Sequence, residues 1–95
     1  MSDQPAAQIV KPLKLLYFSW LRSRRGVSEE ELTPPPEVTT VAALLDWLRA
    51  LSPAHAAALA DLSVVRVAVN QDYARPGDPV RPGDEVALFP PVTGG

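Results

Sequence analysis

The stretch Thr39-Thr40-Val41-Ala42-Ala43-Leu44-Leu45-Asp46-Trp47-Leu48-Arg49-Ala50-Leu51 fixes the architecture. Val41, Leu44, Leu45, Leu48 and Leu51 follow the helical spacing i, i+3, i+4, i+7, i+10 and form one apolar stripe, with Asp46 and Arg49 on the opposite side. Either threonine is a good N-cap, because its hydroxyl can accept from a free N–H of the first turn. The stripe predicts a core-facing helix, which must find a second layer to cover. Ser52-Pro53 repeats the signal, a cap followed by proline at the first helical position, and opens a short helix to about Ala58. His55 sits in that alanine-rich helix and reads as a surface residue.

Strands flank the helices. Upstream, Leu13–Phe18 alternates, with Leu13, Leu15 and Tyr17 on one side and Lys14, Leu16 and Phe18 on the other. Both sides are mostly apolar, which predicts a central strand covered on both faces. Ser19–Arg25 can make a helical turn that Gly26 ends. Glu30–Val38 predicts a second strand, but Pro34-Pro35-Pro36 cannot donate ladder hydrogen bonds, so it is an edge or leaves the sheet early. Downstream, Val64–Asn70 is β-branched, with Val65, Val67 and Val69 on one face. Arg75-Pro76-Gly77-Asp78 and Arg81-Pro82-Gly83-Asp84 repeat the Pro-Gly chemistry of a type II turn on either side of a short strand at Val80. Glu85–Phe89 is the last strand, stopped by Pro90-Pro91. Strand, strand, helix, strand, short strand, strand is an α+β order. Passing from the second strand through the helix requires a crossover, so the first and last strands pair in parallel at the centre. That is the β-grasp, or ubiquitin-like, pattern: a mixed sheet with one main helix across one face and a C-terminal tail. The expected divisions are a flexible lead-in over 1–11, the domain over 12–90 and an extended functional tail over 91–95.

Composition narrows the function. The chain has 95 residues, 9 Lys+Arg against 11 Asp+Glu, and a net charge of −2, which disfavours nucleic acid as a partner. Cysteine is absent and His55 is the single histidine. That removes thiolate nucleophiles and cysteine-bound metals and makes a histidine-based site improbable, so no metal is expected. No apolar run approaches a membrane span and the start lacks a secretory pattern, so a cytoplasmic setting is expected.

The end of the chain, Phe89-Pro90-Pro91-Val92-Thr93-Gly94-Gly95, resembles the signature of the small subunit of molybdopterin synthase, the MoaD family. The likeness runs back through Gly83-Asp84-Glu85-Val86-Ala87-Leu88 and Ala68-Val69-Asn70-Gln71 to Lys14-Leu15-Leu16-Tyr17-Phe18 and Arg22, covering roughly residues 13–95. The chain departs from the family in its longer lead-in and in the Pro34–Pro36 interruption. The resemblance implies a non-catalytic sulfur-donor subunit. ATP would be consumed by a MoeB-type activating enzyme that adenylates the Gly95 carboxylate, which a sulfur donor protein converts to a thiocarboxylate. The charged carrier would join a MoaE-like large subunit, in a heterotetramer with two carriers, and donate sulfur to cyclic pyranopterin monophosphate. No permanently bound cofactor is implied.

The tail suits this chemistry. A carboxylate is a poor electrophile, and adenylation supplies the leaving group that lets sulfur replace oxygen. Gly94 and Gly95 have no Cβ and fit a narrow channel, and Val92 and Thr93 thread behind them. Pro90 and Pro91 stiffen the root. Phe18, Arg22, Tyr73 and Phe89 match family positions at the partner contact. Phe18 and Phe89 also suit a core, but alternation groups Phe89 with Ala87 and Glu85, opposite Val86 and Leu88, which favours an exposed anchor. Tyr73 reads equally as a loop residue, and Arg22 as a solvated arginine beside Arg24 and Arg25. Trp20 and Trp47 are expected at core edges. Carriers for thiamine, cysteine or tRNA thiolation share the Gly-Gly end, although Pro-Pro-Val-Thr favours molybdopterin; a ubiquitin-like modifier joined to lysines would use the same activation.

Overall fold

A computed structural model describes residues 11–91. The expected lead-in, except Lys11, and the tail beyond Pro91 lie outside the described residues. The elements are β1 (Leu13–Tyr17), α1 (Trp20–Arg25), β2 (Glu29–Leu32), α2 (Val41–Arg49), α3 (Pro53–Ala58), a 3-10 turn (Leu62–Val64), β3 (Arg66–Val69), β4 (Asp72–Ala74) and β5 (Glu85–Phe89). They form one five-stranded sheet in the order β2-β1-β5-β3-β4. β1 and β5 are parallel at its centre, with Leu15 opposite Val86, while every other pair is antiparallel. The expected β-grasp pattern is present.

Side-chain alternation builds the core. Leu13, Leu15 and Tyr17 of β1 and Val86 and Leu88 of β5 point to one side and are buried. There they meet Val41, Leu44, Leu45 and Leu48 of α2, Leu21 of α1, and Ala58 and Leu59 at the end of α3. Each fully buried Leu or Val contributes about 1.5–3 kcal/mol relative to exposure. Trp20 and Trp47 pack against the margin of this cluster, as expected. Thr40 is the N-cap of α2, its hydroxyl accepting from the Ala43 N–H at 3.2 Å. Ser52 caps α3 in the same way, accepting from His55 N–H.

Several boundaries differ from expectation for local reasons. The helices join the core cluster on a single side, so β1 is central but not covered on both faces; Phe18 is 49% exposed. α2 ends at Arg49 with Ala50 as its C-cap, so Leu51 falls beyond the last turn and is 39% exposed rather than part of the core stripe. β2 starts at Glu29 and stops at Leu32, an edge strand ending before the prolines. Leu62–Val64 winds as a 3-10 turn after the Asp61 cap, which delays β3 to Arg66, although Val65 and Val67 still face the core. The fourth strand is Asp72–Ala74, not Val80. Asn70 and Gln71 take positive φ angles of 51° and 73° and make a two-residue hairpin between β3 and β4. Near Val80 the backbone instead makes one isolated bridge, Thr40 to Pro79.

The repeated Arg-Pro-Gly-Asp turns are not alike. In each, the aspartate carboxylate accepts from the arginine N–H three residues back, at 2.9 Å for Asp78 and 2.8 Å for Asp84. Only Gly83 has a positive φ, at 89°; Gly77 does not, so the first turn departs from the expected type II form. A Cβ at Gly83 would also lie 3.3 Å from Lys11 Cδ, while one at Gly77 would meet open space. Gly83→Ala is therefore expected to cost about 1–2 kcal/mol. Gly77→Ala should leave stability within about 0.5 kcal/mol or raise it slightly, by restricting the unfolded chain. Urea unfolding of both variants checks the contrast, and equal losses would contradict it.

Candidate functional site: the open sheet face and the root of the tail

β5 carries the chain to the tail from the middle of the sheet, hydrogen-bonded to β1 on one side and β3 on the other. Val86 and Leu88 are wholly buried and pin it down. The β3–β5 ladder closes at Arg66 opposite Phe89, because Pro90 and Pro91 have no N–H to extend it. Both prolines are half-buried. Four of the expected tail residues, Val92, Thr93, Gly94 and Gly95, lie outside the described residues.

Beside this root is the face of the sheet that the helices leave open. Register aligns Glu29, Leu16, Ala87, Ala68 and Tyr73 in one row across all five strands. The adjoining row at the tail end holds Phe89 and Arg66, with Phe18 donating its backbone N–H to the Leu88 carbonyl at 3.1 Å. Tyr73 is 78% exposed and packs on the Phe89 ring, with centroids 5.8 Å apart at 46°. Two of the aromatics read from the sequence thus meet directly, and Tyr73 belongs to a strand rather than a loop. The two alanines keep the middle of the face low, and charges border it: Lys14 between Glu31 and Glu85, and Arg66 beside Phe89. An apolar centre with a charged rim is the anatomy of a protein-binding surface.

The three arginines of α1 separate. Arg24 lies over the Trp20 ring at 4.7 Å, Arg25 turns inward, and Arg22 is exposed. α1 follows β1 directly, which places it at the end of the sheet from which the tail departs.

His55 corrects the sequence reading: it is 3% exposed, not a surface residue. Its Nε2 lies 2.8 Å from Glu30 Oε2, and its Nδ1 lies 2.6 Å from Ser52 Oγ. A carboxylate only accepts, so in the contact with Glu30 the donor is Nε2; Arg25 Nε also lies 2.9 Å from Nε2, and Nδ1 meets the Ser52 hydroxyl. The Glu30 carboxylate also accepts from Tyr17 OH at 2.7 Å and from both Nε and the terminal amine of Arg25. Burial works against its charge, but the hydrogen bonds from Arg25, Tyr17 and His55 outweigh burial and hold Glu30 down at about 2. Burial first, then the hydrogen bond to Glu30, pushes the Tyr17 hydroxyl well above its ordinary range. The hydrogen bonds that Arg25 donates to Glu30 in turn raise Arg25. Every group in this cluster is occupied by another, so it clamps β1, α1, β2 and α3 together rather than presenting a reactive atom. Two signals marked it: Glu30 alternates inward between Glu29 and Glu31, and His55 occupies the third position after the Ser52 cap. Among the described residues no group of three or more His, Cys, Asp or Glu could hold a metal ion, and no helix is long and apolar enough to cross a membrane.

A parallel central strand pair, a crossover helix on one face, an open second face and a chain end leaving the central strand define the ubiquitin-like β-grasp class. Within that class the chain belongs to the ThiS family, which it matches over residues 15–95. It is 40% identical over 83 residues to the molybdopterin synthase sulfur carrier subunit of Escherichia coli K12, covering 87% of this chain and 99% of that one. Among solved structures it is similar to a putative molybdopterin converting factor subunit 1 from Pyrococcus furiosus, with TM-score 0.70 and 30% identity over 86% of this chain and 99% of that one. It is also similar to small archaeal modifier protein 1 from Haloferax volcanii, with TM-score 0.68 and 28% identity over 86% and 99%.

Proposed function

We propose that this chain is the sulfur carrier subunit of a molybdopterin synthase. The observation that carries the reading is a family match that continues through the Gly94-Gly95 end, together with a sulfur carrier relative matched along 99% of its length. An activating enzyme of the MoeB type joins the Gly95 carboxylate to the AMP portion of ATP and releases pyrophosphate. Sulfur from a donor protein then displaces AMP and leaves a thiocarboxylate. That group is the nucleophile delivered to cyclic pyranopterin monophosphate in the large subunit, which supplies the catalytic side chains. ATP is used by the activating enzyme, and the carrier holds no resident cofactor.

The open face and the tail serve different steps. Phe18, Tyr73 and Phe89 seat the large subunit, with Arg22 close by, while Pro90 and Pro91 direct Val92–Gly95 into its active site. The test is the intact mass of the chain after incubation with activating enzyme, ATP and a sulfur donor. The expected gain is one sulfur for one oxygen. No gain, under conditions that charge a known carrier, would exclude the reading. The likeness to an archaeal modifier protein favours a second reading, attachment to lysines through the same activated end. A ladder of heavier conjugates in place of the sulfur gain would select it.

Tyr73→Ala separates docking from folding. The side chain is 78% exposed, so its loss should leave unfolding within about 0.5 kcal/mol of the parent. Loss of the ring that packs on Phe89 over the open face should weaken binding to the large subunit by about tenfold or more in calorimetry. Unchanged affinity would remove Tyr73 from the interface.

A further inference from the structure

The Pro34–Pro36 run plays no part in the sulfur chemistry, yet it forms one wall of an apolar cavity of about 460 Å³. Pro79 and Pro82 line it as well, together with buried Leu13 and Val80. The walls are tied together by backbone hydrogen bonds: Val80 N–H to the Thr39 carbonyl at 3.0 Å and Val41 N–H to the Asp78 carbonyl at 2.9 Å. Five pyrrolidine rings on a tied frame make a cleft that is already shaped, so little conformational freedom is lost when it is filled.

Charge indicates what fills it. Among the described residues that line the cleft, the ionisable ones are Lys11 and Arg81, both exposed cations on a chain of net charge −2. The Lys11 stem runs over the Gly83 turn, within van der Waals reach of a Cβ built there. Thr39 supplies the one other polar side chain of the described lining. A small-molecule site ordinarily carries several convergent polar groups to orient its ligand. This cleft has instead an apolar well and a cationic rim, which suits a side chain presented by another protein. We propose that the proline-walled cleft docks a segment of a partner protein that carries a bulky aromatic side chain flanked by carboxylates.

The location gives such a contact a use. The cleft adjoins Leu13, at the start of β1, whereas the tail leaves beyond Phe89, at the far end of the parallel partner strand. Five residues of strand separate the two ends by about 15 Å. A short segment held in the cleft therefore need not reach the open face or the tail root. The inference does not depend on what the tail carries.

The test titrates the full chain with the blocked peptide acetyl-Glu-Glu-Trp-Glu-Glu-amide and with its lysine counterpart, followed by NMR amide spectra. The acidic peptide is expected to shift Leu13, Val38, Val80 and Arg81 and to leave Ala68 and Ala87 of the open face unmoved, while the lysine peptide shifts none of them. Arg81→Glu, an exposed change that removes no side-chain hydrogen bond among the described residues, should weaken acidic-peptide binding about tenfold. Four results would overturn the proposal: no shifts at millimolar peptide, an equal response to both peptides, shifts that follow dilution of the chain alone and so indicate a second copy, or cross-relaxation from Leu13 and Val80 methyls to residues 1–10, which would make the chain its own occupant.

Discussion

Deleting Gly95 should abolish sulfur transfer completely while leaving the thermal unfolding curve where it was. The truncated chain still ends in a carboxylate, that of Gly94, but about 3.5 Å short of the proposed point of adenylation and delivery, and no side chain can make up the reach, because the chain has no cysteine and its single histidine is enclosed. The fold should not notice. The core runs from Leu13 to Leu88, and the last sheet pairing is Phe89 with Arg66. The paired measurement is thiocarboxylate yield by intact mass and melting temperature by circular dichroism. Normal yield in the truncated chain would end the proposal that Gly95 is the acylated residue. Gly95→Ala is the milder test: it keeps the carboxylate but adds a Cβ where the chain must thread, so it should fall to a small fraction of the parent yield.

The second large effect is on stability. Glu30→Ala removes the one acceptor on which Arg25, Tyr17 and His55 converge and leaves their donors facing one another. Glu30 sits at about 2 instead of 4.5, which corresponds to about 3 kcal/mol at 1.36 kcal/mol per pH unit. With its side chain 16% exposed, water returns part of this, and a measured loss of about 2–3 kcal/mol is expected. That is a large share of a small domain's stability. The direction with pH follows from the depressed value. The stabilisation is complete above about 4.5 and fades as pH falls from there towards about 2. In urea unfolding the parent and Glu30→Gln should therefore differ near neutrality and converge at low pH. A gap that stays constant from pH 7 to pH 2.5 would show that the charge of Glu30 is not what binds the four elements.

The fold was legible where one physical rule dominated. The α2 stripe as far as Leu48, the Ser52 cap and the alternation of Glu85–Phe89 each had a single reading, and all three are present. The misreadings arose where local pattern met a fact about layers. Leu16 and Phe18 are apolar enough to be buried, but the helices fall on one side of the sheet, and a second cover is not implied by strand composition. Gly77 and Gly83 sit in identical four-residue motifs, and what differs around them is remote in sequence: Lys11 lies beside Gly83, and Asn70 donates to Asp84 in that turn alone. Gln71 hid the hairpin to β4, because a two-residue turn with positive φ at both positions ordinarily carries glycine at the second. His55 was misread for the opposite reason. Alanine-rich surroundings suggest exposure, and the groups that enclose it come from three other elements, at Tyr17, Arg25 and Glu30. The tail aromatics were readable as a set, whereas the packing of Tyr73 on Phe89 depended on the unrecognised strand.

The placement of β5 between two neighbours also determines how the molecule bears a pull. When a partner grips the glycine end and draws on it, the tension enters along the axis of the central strand, across the hydrogen bonds that join it to β1 and β3. Bonds loaded crosswise share the force and must slip together, whereas an edge strand peeled from a sheet surrenders them one at a time. The handle is thus fixed to the stiffest member of the frame, and the carrier can be seated, emptied and withdrawn by its end without the pull unravelling the body behind it.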